Sequence, residues 1–276
     1  MMCRIDSHQH FWKRSRGDYD WLRPNLGPIY ADFGPSDLQP LLTQSGVSKT
    51  VLVQAAATIA ETHYMLSLAD EYDFIAGVVG WVDMESPDAA EQIVALSTHP
   101  KFKGIRPMAQ DIGDPKWLSK ATLAPAFETL VAHGLRFDAL VKSCHLDALL
   151  TVLRRHPDLR VVIDHAAKPD IETGNTEQWT AKMAEIGSET DAYCKVSGLV
   201  TEAGACPNHK SLAPYFEHLY QCFGADRLMW GSDWPVVKLS MEYGDWYSLT
   251  MELLATTPLD EQRKILGTTA ATFYDI

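Results

Sequence analysis

Short runs of β-branched and apolar residues recur along the 276-residue chain, separated by longer stretches in which apolar residues return every three or four positions. The first pattern fits buried strands and the second fits helices with one apolar face. Strands are predicted at 4–8, 50–54, 75–82, 104–107, 136–141, 160–165, 193–197 and 227–232, about eight in all. Helices are expected from Ser36 in DLQPLL, from Ser86 in PDAAEQIVAL and from Thr122 in LAPAFETLVAHG, where Gly134 supplies the stop. The stretch SCHLDALLTVLRRHP runs as a helix to its proline. Strand followed by helix, repeated with right-handed crossovers, closes most simply into a (β/α)8 TIM barrel, one domain over 1–276. An open doubly wound sheet is the alternative, but its nucleotide signatures, GxGxxG and the P-loop, are missing.

Two connections exceed what a barrel needs. Residues 12–34, WKRSRGDYDWLRPNLGPIYADFG, are rich in aromatics, Arg, Gly and Pro, and read as a lid over the first βα junction. Residues 168–176 form the other, after the sixth strand. Loops that follow strands lie at the C-terminal face of a barrel, where barrel active sites are built.

A formal charge of −12 argues against nucleic-acid and anionic-membrane partners, which require a positive surface, and favours a small neutral ligand. Five cysteines without a CxxC pair suggest reduced thiols rather than a disulfide framework or a cysteine zinc site. With no leader pattern before the first strand and no apolar run long enough to span a bilayer, a cytoplasmic protein is expected. The oligomeric state is not legible.

Under the barrel reading, polar residues cluster at strand ends: His8 and His10 on the first strand, Arg106 on the fourth, His165 on the sixth and Asp233 after the eighth. Period-two alternation puts Asp6, His8 and His10 on one face. Imidazoles and a carboxylate suit a divalent cation such as zinc, and equally suit water activation without a metal. Asp6 is expected either to orient a histidine from behind or to make a core-edge hydrogen bond. Arg106 would bind a substrate oxygen or form a loop ion pair. Gln54, ending the second strand, would donate to a hydroxyl or bond backbone. Trp12, Trp21 and Trp81 offer an apolar wall for a sugar ring, the alternative being plain packing. Lys168, near the rim, is a candidate substrate-binding residue, the alternative being a solvated lysine; Lys195 is expected to be solvated, and Trp234, on the opposite parity to Asp233, to pack. The other seven of the ten histidines fall away from strand ends and receive no role.

The segments IDSHQHFW, YDWL, GIRP, VIDHAAKP and RLMWGSDWPV resemble the amidohydrolase superfamily, in particular its branch of sugar lactonases and 2-pyrone-4,6-dicarboxylate lactonase. The resemblance runs from the first strand to the last. It implies a hydrolytic site at the C-terminal rim, with His8 and His10 as the HxH pair, His165 as the strand-six histidine, and Asp233 as the strand-eight aspartate that handles the proton of the attacking water. Two-metal members close the fifth strand with a carboxylated lysine. Here LRFDALV carries Asp138, and the nearest lysine, Lys142, lies beyond it. The resemblance therefore implies a single cation, held by His8, His10, His165 and Asp233, or none, and no organic cofactor. Thr269 stands where the family commonly shows Asn, in the closing helix.

Dicarboxylate substrates would call for several converging arginines. Only Arg106 is well placed, since Arg14, Arg16 and Arg23 sit in the lid. A neutral aldonolactone is preferred, and the overall look, including HFWKRSRGDYDWL, is most similar to the L-fuconolactonase group, with L-rhamnonolactonase next. The expected function is the opening of a sugar-acid lactone, L-fucono-1,5-lactone or a related 6-deoxy aldonolactone. Asp233 would act as base and then acid, and His165 would polarise the carbonyl. The competing readings are a metal-dependent decarboxylase of the same superfamily and a barrel that binds a sugar acid without catalysis.

Overall fold

A computed structural model describes residues 4–276. Cys3 lies outside them, and the four cysteines within them are free thiols. Eight parallel strands follow one another around a barrel: β1 Ile5–Gln9, β2 Lys49–Val53, β3 Ile75–Gly80, β4 Phe102–Ile105, β5 Arg136–Ala139, β6 Arg160–Ile163, β7 Tyr193–Val196 and β8 Leu228–Trp230. The β8–β1 seam is closed just past the strand ends: Asp233 N donates to His8 O at 2.8 Å, and His10 N to Trp234 O at 2.7 Å. Between and after the strands run α1 Pro35–Ser45, α2 Ile59–Glu71, α3 Ala89–Ser97, α4 Ala124–Ala132, α5 Leu146–Arg155, α6 Glu177–Glu189, the short α7 Leu199–Glu202, α8 His209–Arg227, α9 Tyr243–Leu253, α10 Leu259–Arg263 and α11 Thr269–Tyr274. No helix among the described residues is long and apolar enough to cross a membrane.

Alternation divides the core. Ile5, Val51, Val53, Val79, Val162 and Met229 fill the barrel interior and rest on Ala270, Phe273 and Tyr274 of α11, which closes the floor. The alternate residues, among them Leu52, Val78, Phe137, Val161, Val196 and Trp230, face the helices. The residues filling the floor leave the opposite, C-terminal end of the strands for polar groups.

Helix starts differ from expectation in detail. The first helix is capped by Gly34, whose N–H donates to Asp37 Oδ2 at 2.9 Å, rather than by Ser36. The third begins at Ala89, three residues past Ser86, because Ser86–Asp88 form a turn stabilised by Asp88 N donating to Ser86 Oγ. The 12–34 segment folds back on itself. Trp12 and Phe33 exchange backbone hydrogen bonds, and Trp12, Tyr19, Leu22 and Ile29 pack with Ala55 and Ala56 after β2 into an apolar cluster of their own. This covers the first βα junction, as a lid should.

Candidate active site

The four residues singled out from strands 1, 6 and 8 meet. Asp233 Oδ1 lies 3.3 Å from His10 Nε2, 3.8 Å from His8 Nε2 and 3.8 Å from His165 Nε2, and the two Nε2 atoms of His8 and His10 are 3.2 Å apart. All four side chains are buried. The rings are held from behind. His10 Nδ1 donates to Val53 O at 2.7 Å, which leaves a lone pair on Nε2, and His165 Nδ1 pairs with Ser197 Oγ at 2.9 Å.

Beneath the cluster lies a charge network that sequence reasoning missed in part. Lys195, expected at the surface, is fully buried. Its Nζ bonds Asp138 Oδ2 at 2.5 Å, Asp164 Oδ1 at 3.0 Å and His8 Nδ1 at 3.0 Å. Parity could have found it: a strand residue in phase with Tyr193 and Ser197 points into the barrel, where no water can solvate an ammonium, so it must be paired. Asp164, quoted in VIDHAAKP but given no role, lies 3.3 Å from His8 Nδ1 and 3.4 Å from Arg106 Nη1. Tyr274 OH donates to Asp138 Oδ2 at 2.7 Å.

Asp6 departs from its expected face. The β1–β2 register shifts between Asp6 and Gln9, so strict alternation fails there. Ile5 faces the interior, while Asp6 accepts from His8 N at 3.2 Å, Ser232 N at 2.8 Å and Tyr243 OH of α9 at 3.3 Å. It orients no imidazole. It ties the β1–β8 seam, the core-edge role.

Electrostatics follow from burial. Burial pushes His165 down to about 4, against the pull of Asp233, and also lowers His10. His8 is held well below its ordinary range by burial and then by Lys195. For Asp233 burial works upward, but His165, the His10 hydrogen bond and His8 outweigh it and hold the carboxyl below the usual range. Asp164 is likewise held well down against burial by Lys195 and His8. Near neutrality the site presents neutral imidazoles beside ionised Asp233.

Above the cluster opens a cavity of about 210 Å³ lined by His10, Arg106, His165, Lys168 and Asp233, by Gln110 and Asp111, and by an apolar side of Trp12, Trp21, Ala55, Met108, Leu140 and Val236. It is smaller than the roughly 300–1,000 Å³ typical of drug-sized ligands. Of the expected sugar wall, Trp12 and Trp21 are present. Trp81 does not line the cavity; its backbone N–H and carbonyl pair with the Thr62 hydroxyl of α2. Gln54 also stays out of it, because both ends of its carboxamide are spent on Arg106. The two arginines 14 and 16 pair with Asp32 and Asp18 in the lid. Gln110 and Asp111, from the loop after β4, were not anticipated, since nothing in their sequence marks them apart from ordinary loop polarity.

His165 reaches the site through an unusual backbone. Residues His165, Ala166, Ala167 and Lys168 all have positive φ, 50 to 58°. Each left-handed L-residue costs on the order of 1–2 kcal/mol. The turn delivers both His165 and Lys168 to the cavity. Gly198, φ +64°, lies against the same ring: a Cβ there would stand 2.8 Å from His165 Cβ, Cγ and Nδ1.

A single divalent cation fits these donors. His8, His10 and Asp233 bring ligand atoms within 4.8 Å of one another, as do His8, Asp164 and His165. The lone pair forced on His10 Nε2, facing His8 Nε2 and Asp233 Oδ1, is the arrangement a borderline cation takes. The fifth-strand position offers Asp138 rather than a lysine, with its Oδ2 engaged by Lys195 and Tyr274.

The amidohydrolase family model matches residues 5–276. An L-fucono-1,5-lactonase of Burkholderia ambifaria is 50% identical over 246 residues, covering 89% of this chain and 85% of that protein. A second L-fucono-1,5-lactonase, from Burkholderia multivorans, is 36% identical over 98% of this chain and 95% of its own length. Among solved structures, an amidohydrolase from Burkholderia multivorans with bound zinc superposes with a TM-score of 0.94 at 34% identity, covering 99% of both chains. With the family model spanning the whole barrel, the chain belongs to the amidohydrolase family.

Proposed function

We propose that this protein hydrolyses a sugar-acid lactone, L-fucono-1,5-lactone or a related 6-deoxy aldonolactone. The observation that carries the reading is Asp233, an ionised carboxylate bracketed by His10 and His165 at the base of a small cavity with one apolar and one polar side. The 50% identity to an L-fucono-1,5-lactonase selects the substrate class. A ring with hydroxyls on one face and C–H groups and a methyl on the other matches this division, with Trp12 and Trp21 against the apolar face.

In this reading Asp233 takes a proton from a water directed at the lactone carbonyl carbon. The Ser197 hydroxyl, donating to His165 Nδ1, leaves the ring proton on Nε2, from which it bonds the carbonyl oxygen as negative charge develops. Arg106 lines the cavity, and its guanidinium, held by Gln54 and Asp164, brings a fixed positive charge toward the carbonyl oxygen. When the tetrahedral intermediate collapses, the carbonyl–ring oxygen bond breaks and protonated Asp233 returns its proton to the leaving alkoxide, giving the open hydroxy acid. A cation held by His8, His10 and Asp233 would supply Lewis-acid polarisation and a more acidic water.

A panel of aldonolactones followed by proton release, before and after chelation, tests the reading. Turnover of L-fucono-1,5-lactone well above buffer supports it. Turnover of none of the panel, or carbon dioxide release from an aromatic acid in the presence of a cation, overturns it.

A further inference from the structure

Helix α2 opens on the sequence TIAE, Thr58 to Glu61, the spacing of a capping box, in which the glutamate turns back to the N–H of the capping residue. Thr58 does cap: its hydroxyl accepts from Glu61 N at 3.1 Å. The Glu61 carboxylate reaches further back along the chain. Its Oε2 accepts from Ala55 N at 3.0 Å and from Ala56 N at 2.6 Å, and its Oε1 accepts from Ala55 N at 3.1 Å. The side chain is fully buried.

Those two N–H groups lie where β2 gives out. Gln54 N still donates to Val79 O of β3 at 2.8 Å, and the next two N–H groups have Glu61 instead of a strand. A buried N–H without an acceptor costs about as much as a lost hydrogen bond, so the carboxylate stands in for the missing strand partner. What it fixes is a piece of the cavity. Ala55 lines that cavity, and its carbonyl accepts from Trp21 Nε1 of the lid at 2.7 Å. Trp21 in turn meets Trp12 edge to face, with ring centroids 5.3 Å apart. Glu61, itself outside the cavity lining, thus holds Ala55, Trp21 and Trp12 of the apolar side through one residue.

We propose that Glu61 is a positioning residue for substrate binding: through Ala55 it sets the place of Trp21, and with it the apolar face that receives the lactone ring. It acts on binding and stands apart from the reacting groups. The part of this inference that concerns substrate rests on the lactone reading, whereas the link from Glu61 to Trp21 is independent of it.

Steady-state kinetics on L-fucono-1,5-lactone at one pH separate this role from a merely structural one. Glu61→Met keeps the side chain's length and removes the acceptor, and is expected to raise KM about 10-fold with kcat within about twofold of the wild type. Glu61→Gln keeps an oxygen for the two N–H groups and should bring KM back to within about threefold. Trp21→Phe breaks the bond to Ala55 from its other end and should raise KM about threefold. In a Trp21→Ala background, Glu61→Met should add nothing to KM, because the two act on one element. A fall in kcat at unchanged KM, or KM effects that multiply in the double variant, overturns the proposal. If Glu61→Met does not fold, Trp21→Phe decides, and an unchanged KM overturns it. A wild type that opens no lactone speaks against the lactone reading alone, and a measurement without substrate then tests the link. In protein labelled with ¹⁵N-tryptophan, the Trp21 indole N–H resonance, assigned by its loss in Trp21→Phe, should shift in Glu61→Met and, to a lesser degree, in Glu61→Gln. A resonance unmoved in both overturns the proposal.

Discussion

Gln54 grips Arg106 by both ends of its carboxamide: Nε2 donates to the Arg106 carbonyl at 2.8 Å, and Oε1 accepts from Arg106 Nη2 at 3.1 Å. Arg106 Nη2 also bonds the Gln54 carbonyl. The guanidinium is fixed before substrate arrives, with Nη1 turned to His8 and Asp164. Such a fork cannot be reproduced by an ammonium. Arg106→Lys is therefore expected to lower kcat/KM on the lactone by about 10²-fold, and Gln54→Ala by about 10-fold, in steady-state assays at constant pH.

Gly198→Ala tests the support of His165. The substitution meets the ring at 2.8 Å and puts a side chain at φ +64°, so a stability loss of about 1–2 kcal/mol is expected from the backbone. Displacement of His165 is expected to cost kcat more, about 10²-fold, than so small a stability change explains. Thermal melting and kcat measured on the same preparation separate the two.

Much of this could be read in the chain. Eight strands, the closing barrel and the lid follow from periodicity and from an aromatic insert too long for a turn. His8, His10, His165 and Asp233 stand out because strand ends at one rim have few reasons to be polar. What escaped was buried charge. Lys195 points inward by strand parity, against the usual surface habit of lysines, and Asp164 stands beside a more conspicuous histidine. Asp6 leaves the face that alternation assigns it because the register shift after it breaks the period-two rule, and nothing in IDSHQ announces the irregularity. Trp81 and Gln54 follow strand ends as expected, but where a side chain goes depends on neighbours distant in sequence, as Arg106 does for Gln54.

Trp21 borders the cavity and donates Nε1–H to Ala55 O at 2.7 Å, packing under the lid cluster. It touches the apolar side, away from the reacting groups. Trp21→Ala is expected to raise KM for the lactone about 10-fold while changing kcat little, the pattern of lost uniform binding.

Glu61 supplies a pH signature of the scaffold. From α2 it accepts the N–H groups of Ala55 and Ala56, and burial pushes it up to about 7 despite those bonds. Its folded-state pKa is thus raised above the unfolded value of 4.5. The folded state holds the proton longer, so this contribution is full below about 4.5 and is lost as pH rises through 7. Comparing urea unfolding of the wild type and Glu61→Gln cancels the other titrating groups. The wild type should lose on the order of 2 kcal/mol relative to the variant between pH 5 and pH 8. A pH-independent difference would refute the assignment.

The central claim is that Asp233 moves the proton of the attacking water. Hydrolysis of L-fucono-1,5-lactone by Asp233→Asn, followed by proton release and corrected for spontaneous opening, tests it most directly. The account predicts a folded protein, judged by circular dichroism, whose kcat is lowered by about 10²–10⁴-fold. A folded variant that opens the lactone at the wild-type rate would contradict it.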